Sequence, residues 1–240
     1  MYEPRFYRHW SIDKDLVSFN VTLKETDLYI RAKRDLQQEA RDVVIRERAT
    51  LESYIQHHPG FAVSMEPYPI EDEAPGIVRE MTEAAEKVGV GPMAAVAGVI
   101  AERVGKELLA FSPEVIVENG GDIFLKSRKK RLVGVFAGKS PFADQLALEV
   151  RASETPLGIC TSSGTVGHSL SLGKADAVIV LAPRTALADA AATAIGNIIK
   201  QADDIPRGIE FAQEVDGLRG VAIIKDNKMA VWGKIKIARR

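Results

Sequence analysis

The residues best suited to chemistry lie in the second half of the chain. Asp189 and Thr193 stand four apart in the run Thr185-Ala186-Leu187-Ala188-Asp189-Ala190-Ala191-Ala192-Thr193-Ala194. On a helix that spacing puts a carboxylate and a hydroxyl on one face. Both are hard oxygen donors of the kind Mg²⁺ takes alongside water and phosphate oxygens. An alanine-rich packing helix with one surface acid gives the same pattern. A second stretch, Glu118-Asn119-Gly120-Gly121-Asp122, sets Asn-Gly between two β-rich runs, the strongest short-range hairpin signal. With Asn119-Gly120 as the turn pair, Gly121 reads as room for a ligand at the backbone, and the turn N–H groups as an anion nest. A plain hairpin is the competing reading. A third stretch, Thr161-Ser162-Ser163-Gly164-Thr165, offers hydroxyl and amide donors for phosphate or a polar ring edge, or is a polar loop leaving a strand. His168 follows as an acid–base group or a hydrogen-bonded packing residue. Cys160 lies in Gly158-Ile159-Cys160-Thr161-Ser162, which only loosely echoes a nucleophile elbow because Ser stands where the second glycine belongs. A small buried strand residue is the simpler account. No Walker loop, paired cysteines or H-E-x-x-H zinc motif accompanies these residues.

The elements that must position them follow from periodicity. Thr185 reads as the N-cap of the alanine-rich helix, its hydroxyl accepting from an orphaned N–H. Val17, Phe19, Val21 and Leu23, then Leu28, Ile30 and Ala32, alternate with polar residues and predict a hairpin with one buried face. Residues 34–58 carry apolar side chains at helical spacing amid Arg and Glu, a long half-solvated helix closed by His57-His58-Pro59-Gly60. Pro67, Pro69, Pro75 and three consecutive acids make 61–75 a loop. Helices are expected over 76–87 and 93–110, separated by a glycine turn. Strands at 115–118, 123–125, 132–136 and 146–150 form a meander. A short helix at 209–215 precedes a closing hairpin of strands 220–224 and 229–237. Strands in pairs and helices in clusters favour α+β with mainly antiparallel sheet.

Composition narrows the function classes. With 240 residues, 46% hydrophobic and 27% charged, the chain is an ordinary globular sequence. A formal net charge of −1 gives no basic field for nucleic acid or an anionic membrane. One cysteine excludes an internal disulfide framework and fits a reducing cytoplasm. The N-terminus shows neither an apolar signal region nor a lipoprotein-like cysteine. The most apolar long window, 93–111, is broken by Glu102, Arg103, Lys106 and Glu107, so it does not read as a membrane span.

Taken together, Asn119-Gly120-Gly121-Asp122-Ile123, Thr161-Ser162-Ser163-Gly164 with His168 downstream, and Ala188-Asp189-Ala190-Ala191-Ala192-Thr193-Ala194 occur in the order and rough spacing of the ApbE-like superfamily. The chain resembles it over about residues 88–237, and the A-D-A-x-A-T-A element is the most specific part. Its characterised members are Mg²⁺-dependent FAD:protein FMN transferases, once described as thiamine-biosynthesis lipoproteins. Residues 1–87 fit a branch without the lipoprotein signal, in which Val90-Gly91-Pro92-Met93-Ala94-Ala95-Val96-Ala97-Gly98 is also typical. The resemblance implies one α+β domain over 1–240, T-fold-like, with a mainly antiparallel sheet and helices packed on one face. It implies Asp189 and Thr193 as side-chain Mg²⁺ ligands, with the Ala94 carbonyl as a third. It implies Asn119, Gly120, Gly121 and Asp122, and Thr161, Ser162, Ser163 and Gly164, as flavin-contacting segments.

The expected function is Mg²⁺-dependent binding of a phosphate-bearing small molecule, FAD or FMN among them, in the cytoplasm. If turnover is retained, it is pyrophosphate cleavage or FMN transfer, with His168 or Asp122 moving the proton. A non-catalytic flavin or nucleotide binder is one rival, and a T-fold-like enzyme acting on another heterocycle is the other. No nucleic-acid or membrane partner is expected, and a homo-oligomer is left open. Two departures stand out. The transferases carry A-K-G-Y-A-V-D where this chain has Ala94-Ala95-Val96-Ala97-Gly98-Val99-Ile100, so a lysine and an aspartate are replaced. Their histidine opens H-I-I-D-P, whereas His168 is followed by Ser169-Leu170-Ser171-Leu172.

Overall fold

The computed structural model describes residues 15–134, 140–142, 145–164 and 173–239. The N-terminal alternation produces β1 (Val17–Leu23) and β2 (Thr26–Ala32), paired antiparallel around a Lys24-Glu25 turn. Helices α1 (Gln37–His57), α2 (Pro59–Val63) and α3 (Gly76–Glu86) follow. A 3-10 turn, Pro92–Ala95, then leads into α4 (Val96–Leu108). The chain continues through β3 (Val115–Asn119), β4 (Asp122–Lys126), β5 (Arg131–Gly134), β6 (Leu146–Val150), β7 (Leu157–Ser162) and β8 (Ala177–Ala182). It closes with α5 (Thr185–Ile198), α6 (Ile205–Glu214), β9 (Gly220–Lys225), β10 (Lys228–Gly233) and β11 (Ile237–Arg239).

Eight strands form one sheet in the order β1-β2-β3-β4-β7-β8-β9-β10, each neighbouring pair antiparallel. Successive side chains leave opposite faces of a strand. Val117, Phe124, Cys160, Val180 and Ile223 therefore enter a core under the helices, while Ile116, Leu125, Ile159, Ile179 and Ala222 enter a second core behind the sheet. Fully burying one such Val or Ile contributes about 1.5–3 kcal/mol, so both faces are strongly specified. The architecture is the α+β class read from the sequence, with mainly antiparallel sheet and helices on one face.

Several boundaries differ. The strands near 132–136 and 146–150 do not continue the meander of the large sheet. As β5 and β6 they join β11 in a separate three-stranded sheet. Val133, Leu148 and Val150 pack there against the second core, which gives the helix-free face of the large sheet its cover. A hairpin signal reports the turn, not which sheet the hairpin joins. The closing strand is cut in two because Gly233 takes φ +81°, with its Cα side close against the Arg219 backbone. The expected loop at 61–75 begins inside α2, started by Pro59, and α6 begins at Ile205, ahead of the expected 209–215. In both, proline lies in the first helical turn, where its missing N–H costs nothing.

Candidate functional site

Alanines make α5 a good helix former and a thin one. Two glycines use that thinness: a Cβ on Gly98 of α4 would lie 2.6 Å from the Thr185 carbonyl oxygen, and one on Gly158 of β7 would lie 2.5 Å from the Thr185 Cα. So α5 is wedged between α4 and the sheet. Its side chains that escape burial are Asp189, Thr193, Asn197 and Ile198. The first three recur every four residues and form one open polar stripe about 12 Å long.

Asp189 heads this stripe, in the second turn of α5. The Gly98 N–H donates to its Oδ2 at 2.8 Å, and the Asn119 amide nitrogen donates to the Ala97 carbonyl at 3.1 Å. The start of α4 thus connects the end of β3 to α5. Part of Asp189 is accessible, yet protein surrounds its carboxylate closely enough that burial is the leading cause holding its pKa well above the usual range. The Asp122 carboxylate is the second cause, which places the two acids in the same neighbourhood. Burial and a like charge both disfavour the ionised carboxylate, so the two causes act in the same direction. Asp122 itself is buried and contacts the Cys160 thiol, which also donates to the Thr185 carbonyl at 3.5 Å. Burial and then the two aspartates push the Cys160 thiol up, so it is an inert packing group and not a nucleophile.

The hairpin differs from its expected form. Asn119 and Asp122 are the paired flanking residues, and Gly120 and Gly121, at φ +69° and +110°, are the central pair. Both glycines are therefore accounted for by the primed turn. The Gly121 N–H donates to the Glu118 side chain at 3.0 Å. That donor is engaged by a carboxylate, which argues against an anion nest at this turn.

At the end of β7, the Thr161 carbonyl lies beside Gly121, 3.7 Å from where a Cβ would be. Strand alternation puts the Thr161 side chain on the Ile159 face, and Ser162 on the Cys160 face, the side of α5. Beyond it, the Gly164 N–H donates to the Ala175 carbonyl at 2.9 Å. Gly164 presses on Gly173, and Gly173 presses on the Gly196 carbonyl, so tightly that neither leaves room for a Cβ. The 161–164 segment thereby reaches the far end of the stripe, near Asn197, while 119–122 reaches Asp189. His168 and Thr165 lie outside the described residues.

Asp189, Thr193 and the Ala94 carbonyl would offer oxygen donors only, and Ala94 lies in the 3-10 turn that packs against α5. The set suits Mg²⁺, which keeps several waters and takes few protein ligands. Among the described residues no group of three or more His, Cys, Asp or Glu is arranged to hold a metal ion, so a metal here depends on water and ligand oxygens.

The expected Thr185 cap is not made. Thr185 is the first residue inside the helix, and its hydroxyl has no hydrogen-bond partner among the described residues. The cap comes from α4: Glu102 Oε2 accepts from the Thr185 N–H at 2.6 Å and the Ala186 N–H at 3.3 Å. Sequence reasoning missed Glu102, which looked like a charge interrupting an apolar window, and Asn197, though the spacing from Thr193 was there to extend.

Residues 8–217 match the family model described as AbpE bacteria. The chain belongs to that family. Its relatives include the UPF0280 proteins of Methanocaldococcus jannaschii and Methanocella arvoryzae, each 40% identical, covering 90% of this chain and 90% and 89% of the relative. The fold is that of solved ApbE structures. The apo flavinyl transferase ApbE of Pseudomonas stutzeri aligns with TM-score 0.58 at 13% identity, over 91% of this chain and 95% of its own. The flavin transferase ApbE of Vibrio cholerae aligns with TM-score 0.56 at 14% identity, over 90% and 96%. At such identities these alignments show shared architecture. Among the described residues, no helix is long and apolar enough to cross a membrane.

Proposed function

We propose that this chain binds Mg²⁺ through Asp189, Thr193 and the Ala94 carbonyl, and with it a phosphate-bearing small molecule of the flavin-nucleotide kind. One observation carries the reading: the open stripe of an otherwise buried helix begins at a desolvated carboxylate beside a second carboxylate, Asp122. Two neighbouring acids in a poorly solvated place repel, and a divalent cation relieves that repulsion. When bound, Mg²⁺ supplies charge neutralisation on a pyrophosphate. The chain's own residues do the rest. Asn119 fixes the start of α4, the Gly98 N–H orients Asp189, and Ser162 and Asn197 offer polar groups to the remainder of the ligand. On this reading His168 or Asp122 is the proton-transfer group.

Titration calorimetry with FMN, ADP and FAD, each with and without Mg²⁺, tests this. Binding that needs Mg²⁺ and disappears in Asp189→Asn is expected; metal-independent binding unaffected by that substitution sinks it. The second reading is an enzyme that cleaves or transfers across the FAD pyrophosphate, favoured by the architecture shared with flavin transferases. Release of AMP from FAD with Mg²⁺ separates it from a binder, and a visible spectrum of the purified protein shows whether flavin is carried.

A further inference from the structure

Glu102 is buried completely, at 0% exposure, yet it accepts four hydrogen bonds or ion pairs. Oε2 receives the Thr185 and Ala186 N–H groups of α5, and Oε1 receives Arg184 Nε at 2.9 Å and Lys106 Nζ at 2.6 Å. One helical turn earlier on α4, the Gly98 N–H donates to Asp189, which lies one turn after Thr185 on α5. The two links run in opposite senses. At one, an α4 amide binds an α5 carboxylate; at the other, an α4 carboxylate binds α5 amides. Neither helix can slide or roll against the other without breaking one of them. The glycine contact holds the helices close, since a Cβ on Gly98 would lie 2.8 Å from the Asp189 Cβ. We infer that Glu102 is a positioning residue for the metal-binding carboxylate: by capping α5 from α4 it fixes where Asp189 sits. This rests on the reading of Asp189 as a Mg²⁺ ligand.

Glu47 supplies the control. It is another buried acid, 6% exposed, paired with Arg103 at 2.7 Å and Arg46 at 3.1 Å, and it caps no part of α5. Glu102→Gln and Glu47→Gln are compared at a temperature where both are folded. The first readout needs no metal: the amide resonance of Gly98 in protein labelled with ¹⁵N-glycine, assigned with Asp189→Asn. In Glu102→Gln that resonance moves and its hydrogen exchange speeds up at least tenfold; in Glu47→Gln both stay in place. The second is Mn²⁺ affinity by paramagnetic resonance, which weakens about tenfold or more in Glu102→Gln, the usual effect of losing a group that orients a ligand. An unchanged Gly98 amide in Glu102→Gln, or equal effects from the two substitutions, overturns the inference. If Glu102→Gln does not fold, Glu102→Asp keeps the charge but withdraws it by one methylene, and the same Gly98 displacement is required of it. Absence of Mn²⁺ binding by the unsubstituted chain overturns the metal reading and with it any service to a metal ligand. The Gly98 amide then shows separately whether Glu102 places Asp189.

Discussion

Asp189 is not the plain surface acid that an alanine-rich packing helix would carry. It lies in the second turn of α5, receives the Gly98 N–H and is crowded by Asp122. Ionising it there works against both desolvation and a like charge. Asp189→Asn keeps an oxygen for Gly98 and removes the charge, so the metal-free protein should melt a few degrees higher, at about 2–4 °C per kcal/mol for a chain of this size. Mg²⁺-dependent ligand binding should be lost in the same variant. Calorimetric scans in EDTA, paired with titrations, check both; a lower melting temperature with binding intact would make Asp189 structural. That Asp189 and Thr193 share one face of α5 was legible because their spacing is local. Glu102 was not, because the amide it caps stands 83 residues later and only folding brings them together.

At the scale of elements, what was legible is what neighbours in sequence decide. The N-terminal ribbon, the long first helix and the β3–β4 hairpin follow from alternation and turn chemistry over a few residues. The small sheet does not, because β5 and β6 gain their partner β11 from the far end of the chain. Nor does the hairpin's central pair, since Asn119-Gly120 and Gly120-Gly121 both satisfy a primed turn and only the register with β2 and β7 chooses between them. The α4–α5 crossing gives a test at this scale. Gly98→Ala gains about 1 kcal/mol of helix propensity, but its methyl meets the Thr185 carbonyl oxygen at 2.6 Å, and backbone cannot swing aside. Overpacking of this kind costs about 1–3 kcal/mol, so a net loss is expected, with Mg²⁺ affinity falling as the helices separate. Urea denaturation measures the first part. A neutral or stabilised Gly98→Ala would show that the crossing is looser than these distances imply.

Across the whole molecule, one charge cluster ties distant strands together away from the candidate site. Glu114, just before β3, binds Lys33 at 2.8 Å, Arg131 at 2.9 Å and the Ser127 hydroxyl at 2.5 Å. Burial pushes its pKa up, but Lys33, Ser127, the Arg128 N–H and Arg131 outweigh that and hold it at about 2, below its ordinary 4.5. The native carboxylate thus sheds its proton more readily than the unfolded one. Its stabilising contribution is complete above pH 4.5 and disappears as pH falls towards about 2. Unfolding measured at stepped pH should show that decline in the parent protein, and a flatter profile with lower neutral stability in Glu114→Gln. The transferases that this chain resembles carry a lysine and an aspartate where Ala95 and Ile100 stand, and here those positions are 0% and 3% exposed, packed into the helical core. Neither presents a polar group to a ligand. A charge-assisted contact is worth about 1.5–3 kcal/mol, and about 1.4 kcal/mol is a factor of ten. Two losses therefore weaken FAD binding by roughly 10²–10⁴-fold. FMN transfer to a co-expressed acceptor should be weak or undetectable, while FMN or ADP still binds with Mg²⁺ at the Asp189 end. Robust covalent flavinylation would show that other groups on this scaffold hold FAD in place of those two.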